Sequence, residues 1–555
     1  MNYGMKILVA QLNPVIGDLL GNTEKILSAM EAARRQEIDI VAFPEMTICG
    51  YAPEDLVLHR SFIDEMEMCL DRIVRESKGI TALVGLIRKN AVHEEKSLLN
   101  SAAVISDGKL LGFHDKWLLP TYDVFDERRY FSRGKSVNVW DIKGMRIAVL
   151  ICEDMWQNAG EEISGTSYPW DPVKELVVYK PDILFNLTAS PFQSRKADIR
   201  VQVCKAAAKT LKCPIVYTCQ VGANGPVVFD GYSLFVDKDG NLKQVAKGFQ
   251  EDYMTIDLSA RGNVLTFEHD PMYDMISALK LGLHDYFDKS GQKKAIVGLS
   301  GGIDSALVAA IAKEALGEEN VLAIFMPTRY SSQESYDDAR ILAGNLNIEF
   351  KSIDIDHLFQ NFLDTLHPYF KKESEDVTEE NIQARIRGMI LMAFANKFRA
   401  LVLCTGNKSE LALGYCTLYG DMCGALSVIG DVLKTECYQL ARWINREKEV
   451  IPIRILEKAP SAELRHHQKD SDTLPPYEII DKVIRGYVEE YNTIEDIAKI
   501  YKIDEETVRS IVRRIYRAEH KRRQAAPSLR ISKKSFAAGR RKPLHFSGNQ
   551  SEKVY

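Results

Sequence analysis

Ile296-Val297-Gly298-Leu299-Ser300-Gly301-Gly302-Ile303-Asp304-Ser305 is the stretch from which the chain can be read. A short apolar run meets a Ser-Gly-Gly-x-Asp-Ser turn, and a helical stretch, Ala306 to Leu316, follows. Glycines let the backbone turn sharply and bring N–H groups close to an anion. The first turn of a helix adds unpaired N–H groups and partial positive charge. Strand, turn and helix together predict a cradle for pyrophosphate. The loop lacks the Gly-Lys-Ser/Thr close of a Walker A motif. A glycine turn without a ligand is the plain alternative. Serines and an aspartate placed between strand and helix argue against it.

Outward from the loop, the second half alternates strands and helices. A helix over Tyr273–Phe287 precedes the loop, and Val321–Met326, Glu349–Ile353 and Leu401–Thr405 read as strands. That pattern predicts a doubly wound parallel α/β sheet. Thr405-Gly406-Asn407-Lys408-Ser409-Glu410 ends the last of these strands. Ligands of open α/β sheets bind outside such carboxyl ends. Thr405 can hydrogen-bond ATP, Lys408 can meet phosphate, and Glu410 can hold Mg²⁺ or a substrate amide. Magnesium favours a few carboxylates together with phosphate oxygens. A helix-capping acid is the bland reading of Glu410. Beyond about residue 477 the chain reads as helical, and Gly539–Tyr555 is a polar, basic tail expected to be loosely ordered.

The first half mixes strands and helices differently. Lys6–Leu12, Ile38–Phe43, Ala82–Arg88, Arg146–Ile151, Ile183–Asn186 and Ile215–Cys219 read as strands. Asp107-Gly108 and Asp239-Gly240 are hairpin signals between β-like runs. The mixture predicts an α/β sandwich. Polar residues, a glycine and a proline break the pattern near Ser259–Pro271. The division expected is residues 1–258, a linker over 259–272, and residues 273–555.

Composition sets bounds on this reading. A chain of 555 residues with 46% apolar content has room for two full cores. The net charge of −5 gives no bulk argument for a nucleic-acid or membrane partner. Met1–Pro14 lacks the long apolar stretch of a signal peptide or membrane span. Ten cysteines are scattered without C-x-x-C pairs, which fits a reducing cytoplasm.

Further motifs follow the glycine loop in order. They are Asn381-Ile382-Gln383-Ala384-Arg385-Ile386-Arg387, the run at Thr405–Glu410, Tyr419-Gly420-Asp421-Met422, Asp431-x-x-Lys434-Thr435, Pro460-Ser461-Ala462-Glu463-Leu464, Leu474-Pro475-Pro476-Tyr477-Glu478 and Glu519-His520-Lys521-Arg522-Arg523-Gln524. The set, spanning roughly Pro271 to Lys542, resembles the NAD⁺ synthetase family, whose sheet is of the ATP-pyrophosphatase type. The resemblance implies adenylation of the nicotinic-acid carboxylate of deamido-NAD⁺, release of pyrophosphate, and displacement of AMP by ammonia. It implies that Gly298, Leu299, Ser300, Gly301, Gly302, Ile303, Asp304, Ser305 and Thr405 hold ATP, with Asp304 and Glu410 near Mg²⁺. Asn381, Glu410 and Lys521 would contact deamido-NAD⁺, and Asp431 and Lys434 would lie beside the reacting groups. Two polyphosphates meeting at one centre need cations to offset their repulsion.

Such chemistry needs ammonia, and the first half holds the parts of a source. Glu45 follows Phe43-Pro44, Lys116 lies in His114-Asp115-Lys116-Trp117-Leu118-Leu119-Pro120, and Cys152 follows Leu150-Ile151 and precedes Glu153-Asp154. Acid, amine and thiol can cleave an amide through a thioester. Spacing alone does not bring them together, and a strand-end cysteine is ordinarily inert core. The set resembles the nitrilase superfamily over about Lys6 to Ile256. Thr121-Tyr122-Asp123-Val124-Phe125-Asp126-Glu127-Arg128-Arg129-Tyr130-Phe131 is similar to the glutaminase domain fused to NAD⁺ synthetases. The resemblance implies Cys152 as nucleophile, Glu45 as general base, Lys116 as oxyanion stabiliser and Glu127 as a second carboxylate orienting the lysine. Tyr122, Ser190 and Lys196 would bind the amino-acid end of glutamine, with Arg195 and Arg200 as close rivals of Lys196. A lysine beside Cys152 would lower the thiol pKa.

ATP, deamido-NAD⁺ and glutamine are thus the expected partners, in a homo-oligomer, with neither nucleic acid nor membrane. Two other readings stand beside this one. The first is an amidase whose second half binds ATP only as a regulator. The second is a nucleic-acid protein, because Ile494–Ala518 looks like a helix-turn-helix followed by the basic residues of His520–Arg523 and Arg540–Lys542.

Overall fold

The structure, a computed structural model, describes residues 4–91, 95–260, 262–370, 373–537 and 539–544. The chain divides into two compact units, Met1–Asp270 and Pro271–Tyr555. The first helix of the second unit starts at Pro271, where the fixed φ of proline suits an opening turn.

Strand alternation builds the first unit. Ile7 and Val9 turn to one face of strand Lys6–Gln11, and Leu8 and Ala10 turn to the other. Both faces are apolar because both are covered. One six-stranded sheet runs in the order Asp252–Asp257, Lys6–Gln11, Ile40–Ala42, Thr81–Lys89, Leu98–Ser106, Lys109–Asp115. The second runs Leu242–Val245, Leu234–Val236, Ile215–Cys219, Ile183–Thr188, Met145–Ile151, Val139–Ile142. Ile7, Val9, Leu83 and Val104 of one sheet share a core with Ile147, Val149, Phe185 and Val216 of the other. Helices Leu19–Arg35 and Arg60–Arg75 cover the outer face of the first sheet, and Lys196–Leu211 that of the second. The result is the expected α/β sandwich, with parallel strands at the centre of each sheet. Asp107 (φ 49°) and Gly108 (φ 77°) make the expected hairpin turn between Leu98–Ser106 and Lys109–Asp115.

The second unit is built on a parallel sheet in the order Glu349–Ser352, Val321–Phe325, Lys294–Gly298, Ala400–Cys404, Leu426–Ser427. In chain order this is 3-2-1-4-5. The order reverses between Lys294–Gly298 and Ala400–Cys404, so the glycine loop and the Thr405–Glu410 run both leave the sheet at its switch point.

Beyond Tyr477, helices Tyr477–Ile484, Ile494–Tyr501 and Glu505–Arg517 bury Ile480, Val483, Ile497, Val508, Ile511 and Ile515 in one core. The helix-turn-helix-like segment therefore turns its apolar face inward. Arg522 and Arg540 both bond Glu519, 2.8 and 2.6 Å away, so two of the basic residues offered for phosphate are paired within the fold. The docking of Arg540 also corrects the expectation of a loose tail for that residue; positions 545–555 of the tail lie outside the described residues. All ten cysteines are free. Among the described residues no helix is long and apolar enough to cross a membrane.

Candidate active sites

In the first unit, three strand ends deliver three side chains. Glu45 follows Ile40–Ala42, Lys116 follows Lys109–Asp115, and Cys152 follows Met145–Ile151. Gly85 on the neighbouring strand makes room for the glutamate loop. A Cβ there would lie 2.4 Å from Pro44 O and from Met46 N. Cys152 has φ +44°, a left-handed conformation that a non-glycine residue adopts at a cost and that is typical of functional turns. Glu127 opens the short turn Glu127–Arg129.

These residues are buried. Lys116 Nζ donates to Glu45 Oε1 at 2.7 Å and to Glu127 Oε1 at 2.6 Å. Asn100 Nδ2 donates to Glu45 Oε1 at 2.7 Å, and the Ala189 N–H donates to its Oε2 at 3.1 Å. The Tyr51 hydroxyl donates to Glu127 at 2.8 Å. Burial alone would lower the Lys116 pKa, but Glu127 and Glu45 outweigh it and hold the ammonium charged. Burial, with Glu45 beside it, pushes Glu127 up to about 7 against the pull of Lys116.

The Cys152 thiol departs from expectation. Burial and the nearby Glu45 push its pKa well above the ordinary value, although Lys116 pulls the other way. One ammonium shared by two carboxylates leaves little net positive field for a thiolate. Burial thus favours the neutral thiol.

Sequence reasoning gave Asp154 and His114 no role, and both matter to this geometry. The Asp154 carboxylate accepts from the N–H groups of Trp117 (2.9 Å), Leu118 (2.8 Å) and Ile151 (3.1 Å), and His114 Nε2 lies 2.9 Å from it. It ties the lysine loop to the cysteine turn. The sequence placed both residues within two positions of Lys116 or Cys152, which was the only signal.

Of the residues expected to bind glutamine, the Tyr122 hydroxyl donates to the buried Glu153 at 3.0 Å, as does that of Tyr168 at 2.9 Å. Lys196 Nζ stands 5.5 Å from the Trp156 ring and 6.0 Å from the Phe125 ring. Arg200 drops out as its rival. Its guanidinium is fully buried and held by Ser190 Oγ, the Ser190 and Pro191 carbonyls and Asp230. It fixes the Ser190 loop from behind.

In the second unit the helix after the glycine loop starts at Ile303, so Asp304 and Ser305 lie in its first turn. Gly301 (φ +78°) packs on helix Gln333–Leu346. A Cβ on it would lie 2.4 Å from Ser335 O. Residues 298–305, Thr405, Glu410 and Lys434 line one cavity of about 270 Å³. Asn407 Nδ2 donates to Asp304 Oδ1 at 3.1 Å. Lys434 Nζ bonds Asp304 Oδ2 and lies 3.7 Å from Glu410 Oε1. Burial and the nearby Asp304 push Glu410 up to about 8 against Lys434. Two carboxylates crowded at a phosphate cradle suit a hard cation that takes its remaining ligands from phosphate and water. Among the described residues no cluster of three or more His, Cys, Asp or Glu side chains supplies a complete metal site.

Asn381 and Lys521 converge on residues 414–417. The Thr417 hydroxyl donates to Asn381 Oδ1 at 2.7 Å, and Lys521 Nζ donates to the Gly414 and Cys416 carbonyls. Two other expectations fail. Lys408 does not face the phosphate cradle: its ammonium is fully buried between Asp431 (3.0 Å), Glu489 (2.5 Å) and Ser532 (2.7 Å). Asp431 is likewise away from the cavity, accepting from the Ile531 and Ser532 N–H groups.

The carbon-nitrogen hydrolase family model matches residues 6–160, and the NAD synthase family model matches residues 275–525. A glutamine-dependent NAD(+) synthetase of Synechocystis sp. is 42% identical over 549 residues, covering 97% of this chain and 98% of that one. The chain belongs to the glutamine-dependent NAD⁺ synthetases. The Thermotoga maritima glutamine-dependent NAD(+) synthetase is 40% identical over 582 residues, covering 97% and 98% of the two chains. The solved structure of the Acinetobacter baumannii glutamine-dependent NAD⁺ synthetase, in complex with ADP, matches at a TM-score of 0.77 and 36% identity, over 97% of this chain and 98% of that one. A Cytophaga hutchinsonii glutamine-dependent NAD(+) synthetase shares the fold at a TM-score of 0.84, with 22% identity over 99% of each chain. A glutamine-dependent NAD⁺ synthetase is a ligase that uses ATP to amidate deamido-NAD⁺ with nitrogen from glutamine. That activity explains why one chain joins a carbon-nitrogen hydrolase sandwich to an NAD synthase sheet.

Proposed function

We propose that the two units divide this reaction, with glutamine hydrolysis in the unit ending at Asp270 and amide synthesis in the unit that follows. Cys152 attacks the side-chain amide of glutamine while Glu45 takes the thiol proton. Glu45 returns that proton to the departing ammonia. Lys116 stabilises the oxyanion, and Glu127 with Tyr51 holds the lysine in line. Water then cleaves the thioester to glutamate. Lys196 faces the α-carboxylate of glutamine and Glu153 its α-ammonium, with Tyr122 and Ser190 completing the pocket. The observation that carries this assignment is the Lys116 ammonium bonded to both Glu45 and Glu127 beside a left-handed Cys152 turn.

In the second unit, residues 298–305 and Thr405 hold ATP, and Asn381, Glu410 and Lys521 hold deamido-NAD⁺. The nicotinic-acid carboxylate attacks the α-phosphorus, pyrophosphate leaves, and ammonia then displaces AMP from the adenylate. Asp304 and Glu410 would hold Mg²⁺, which offsets phosphate charge when bound. Lys434 sits between these carboxylates and neutralises the same centre.

Self-association of the chain is supported by an exposed apolar groove lined by Phe362, Met389, Met392 and Tyr419, with Met389 56% exposed. Light scattering of the intact chain decides that point. The free thiols fit the cytoplasm.

The test of the division is product analysis with deamido-NAD⁺, ATP, Mg²⁺ and either glutamine or ammonium salt. Wild type should give NAD⁺, AMP and pyrophosphate with both donors, and glutamate with the first. Cys152→Ala should lose glutamine-driven synthesis and keep ammonium-driven synthesis. Equal loss with both donors would sink the two-site assignment.

A further inference from the structure

A second lysine lines the ATP cavity, and neither the motifs nor the proposed mechanism uses it. Lys458 and Glu463 stand on the same cavity wall as the glycine loop. Lys458 Nζ lies 2.8 Å from Glu463 Oε1 and also bonds Ser335 Oγ. The Glu463 carboxylate accepts from Ser335 Oγ (2.7 Å), Ser332 Oγ (3.0 Å) and the Ser332 N–H (3.3 Å). Glu463 reaches this place from a left-handed backbone at φ +48°. Burial works against its charge, but hydrogen bonds from Lys458 and Ser335 hold its carboxyl below the ordinary value, so it is an anion.

The cluster touches the phosphate cradle. Gly301 lacks a side chain where the Ser335 backbone presses on the loop. The glycine loop and the Lys458–Glu463 pair are therefore two sides of one residue, Ser335. An ammonium, two hydroxyls and a backbone N–H converging on one internal carboxylate are the donors that a phosphate oxygen would use. Lys434, the other lysine of the cavity, is already committed to Asp304 and Glu410. Arg387 also lines the cavity, with its Nε donating to the Met326 carbonyl at 3.0 Å. Cleavage of ATP leaves pyrophosphate, a highly charged product that calls for more than one mobile cation.

We propose that Lys458 is a second lysine for the departing pyrophosphate, and that Glu463 is its internal counter-ion, displaced when phosphate oxygens enter. The exchange keeps Lys458 paired in both states, and the released Glu463 carboxylate, whose side chain is 20% exposed, is left to water. Competition from Glu463 lowers the apparent affinity for pyrophosphate, which favours release of product.

Pyrophosphate product inhibition of the full chain, run with ammonium as nitrogen donor, tests this. Lys458→Met should raise the pyrophosphate inhibition constant and the KM for ATP about ten-fold, the worth of one charge-assisted hydrogen bond. Lys458→Arg should restore most of the loss. Glu463→Gln should move the inhibition constant the other way, tightening pyrophosphate several-fold, because the lysine loses its competitor. KM for deamido-NAD⁺ should hold in all three. If Lys458→Met and Glu463→Gln both weaken pyrophosphate, the pair is only a structural clamp and the proposal fails. It fails equally if Lys458→Met leaves both constants unchanged. Should Lys458→Met not fold, the direction of change in Glu463→Gln decides.

Discussion

Replacing Lys116 with methionine removes one ammonium and keeps the length of the side chain. In the wild type that ammonium is 2.7 Å from Glu45 and 2.6 Å from Glu127, and the lysine is 1% exposed. Removing one partner of a buried pair costs about 3–5 kcal/mol. Here two carboxylates lose the same cation, and Glu127 stands at about 7 even with it. Glu127 then takes up a proton near neutral pH, which holds the loss near the lower figure, about 3 kcal/mol. For a unit of this size that is a fall of roughly 8 °C in Tm. The sign with pH follows from the direction of the shift. Without the lysine, the folded-state pKa of Glu127 rises further above its unfolded value. The folded state then binds the extra proton, and stability is lost as pH rises from about 5 to beyond 7. The gap in Tm between wild type and Lys116→Met should therefore be small near pH 5 and wide near pH 8. Glutaminase turnover should fall by about 10²–10³, the effect of losing one oxyanion donor. Alkylation of Cys152 should shift to still higher pH, because Lys116 is the cation that opposes the rise in thiol pKa. Calorimetry across pH, glutamate release and an iodoacetamide pH series measure the three effects. A Tm gap that stays constant with pH, together with normal turnover, would refute the reasoning.

Asp304→Ala removes the carboxylate that meets both Asn407 and Lys434, and should cut ammonium-driven synthesis by about 10²-fold while basal glutamine hydrolysis survives; undiminished synthesis would remove Asp304 from the site. Lys408→Met strands Asp431 and Glu489 without their shared cation and should destabilise the second unit by about 3–5 kcal/mol, seen as a lower urea midpoint, with KM for ATP unchanged. A ten-fold higher KM for ATP at wild-type stability would return Lys408 to the phosphates.

The parts legible in the sequence were those whose chemistry is local. The glycine loop needs strand, turn and helix in immediate succession, and all three stand within Ile296–Leu316. The three strand ends carrying Glu45, Lys116 and Cys152 each follow an apolar run. Direction was harder to read. Lys408 and Glu410 were both assigned to ATP chemistry, yet they are two residues apart on helix Lys408–Leu413. Residues i and i+2 of a helix point to opposite sides, so only one of them could line the cavity, and Glu410 does. That error was avoidable from helix geometry. The Cys152 pKa was not avoidable, because its sign depends on how deeply the thiol is buried and on how Lys116 divides its charge. Edge strands such as Val139–Ile142 and Asp252–Asp257 were missed because they are half polar, with one face less protected.

The two sites solve opposite electrostatic problems. Glutamine enters the first site with a neutral amide, and charge appears only as the thiol attacks. A site of that kind can keep its own charges paired internally, as Lys116 is with Glu45 and Glu127, provided that the pairs are arranged around the place where the oxyanion will form. The upward push on the Cys152 thiol fits the proposed roles, in which the thiol gives its proton to Glu45 only as it attacks a bound amide. The second site must receive two polyphosphates. Its charges are therefore arranged for exchange. Asp304 raises the pKa of Glu410, and Lys434 and Lys458 hold internal carboxylates that, in the proposed assignment, phosphate oxygens replace. The first arrangement is buried, whereas Asp304, Glu410, Lys458 and Glu463 are partly exposed, and a group whose partner can be replaced by ligand changes state when the ligand arrives.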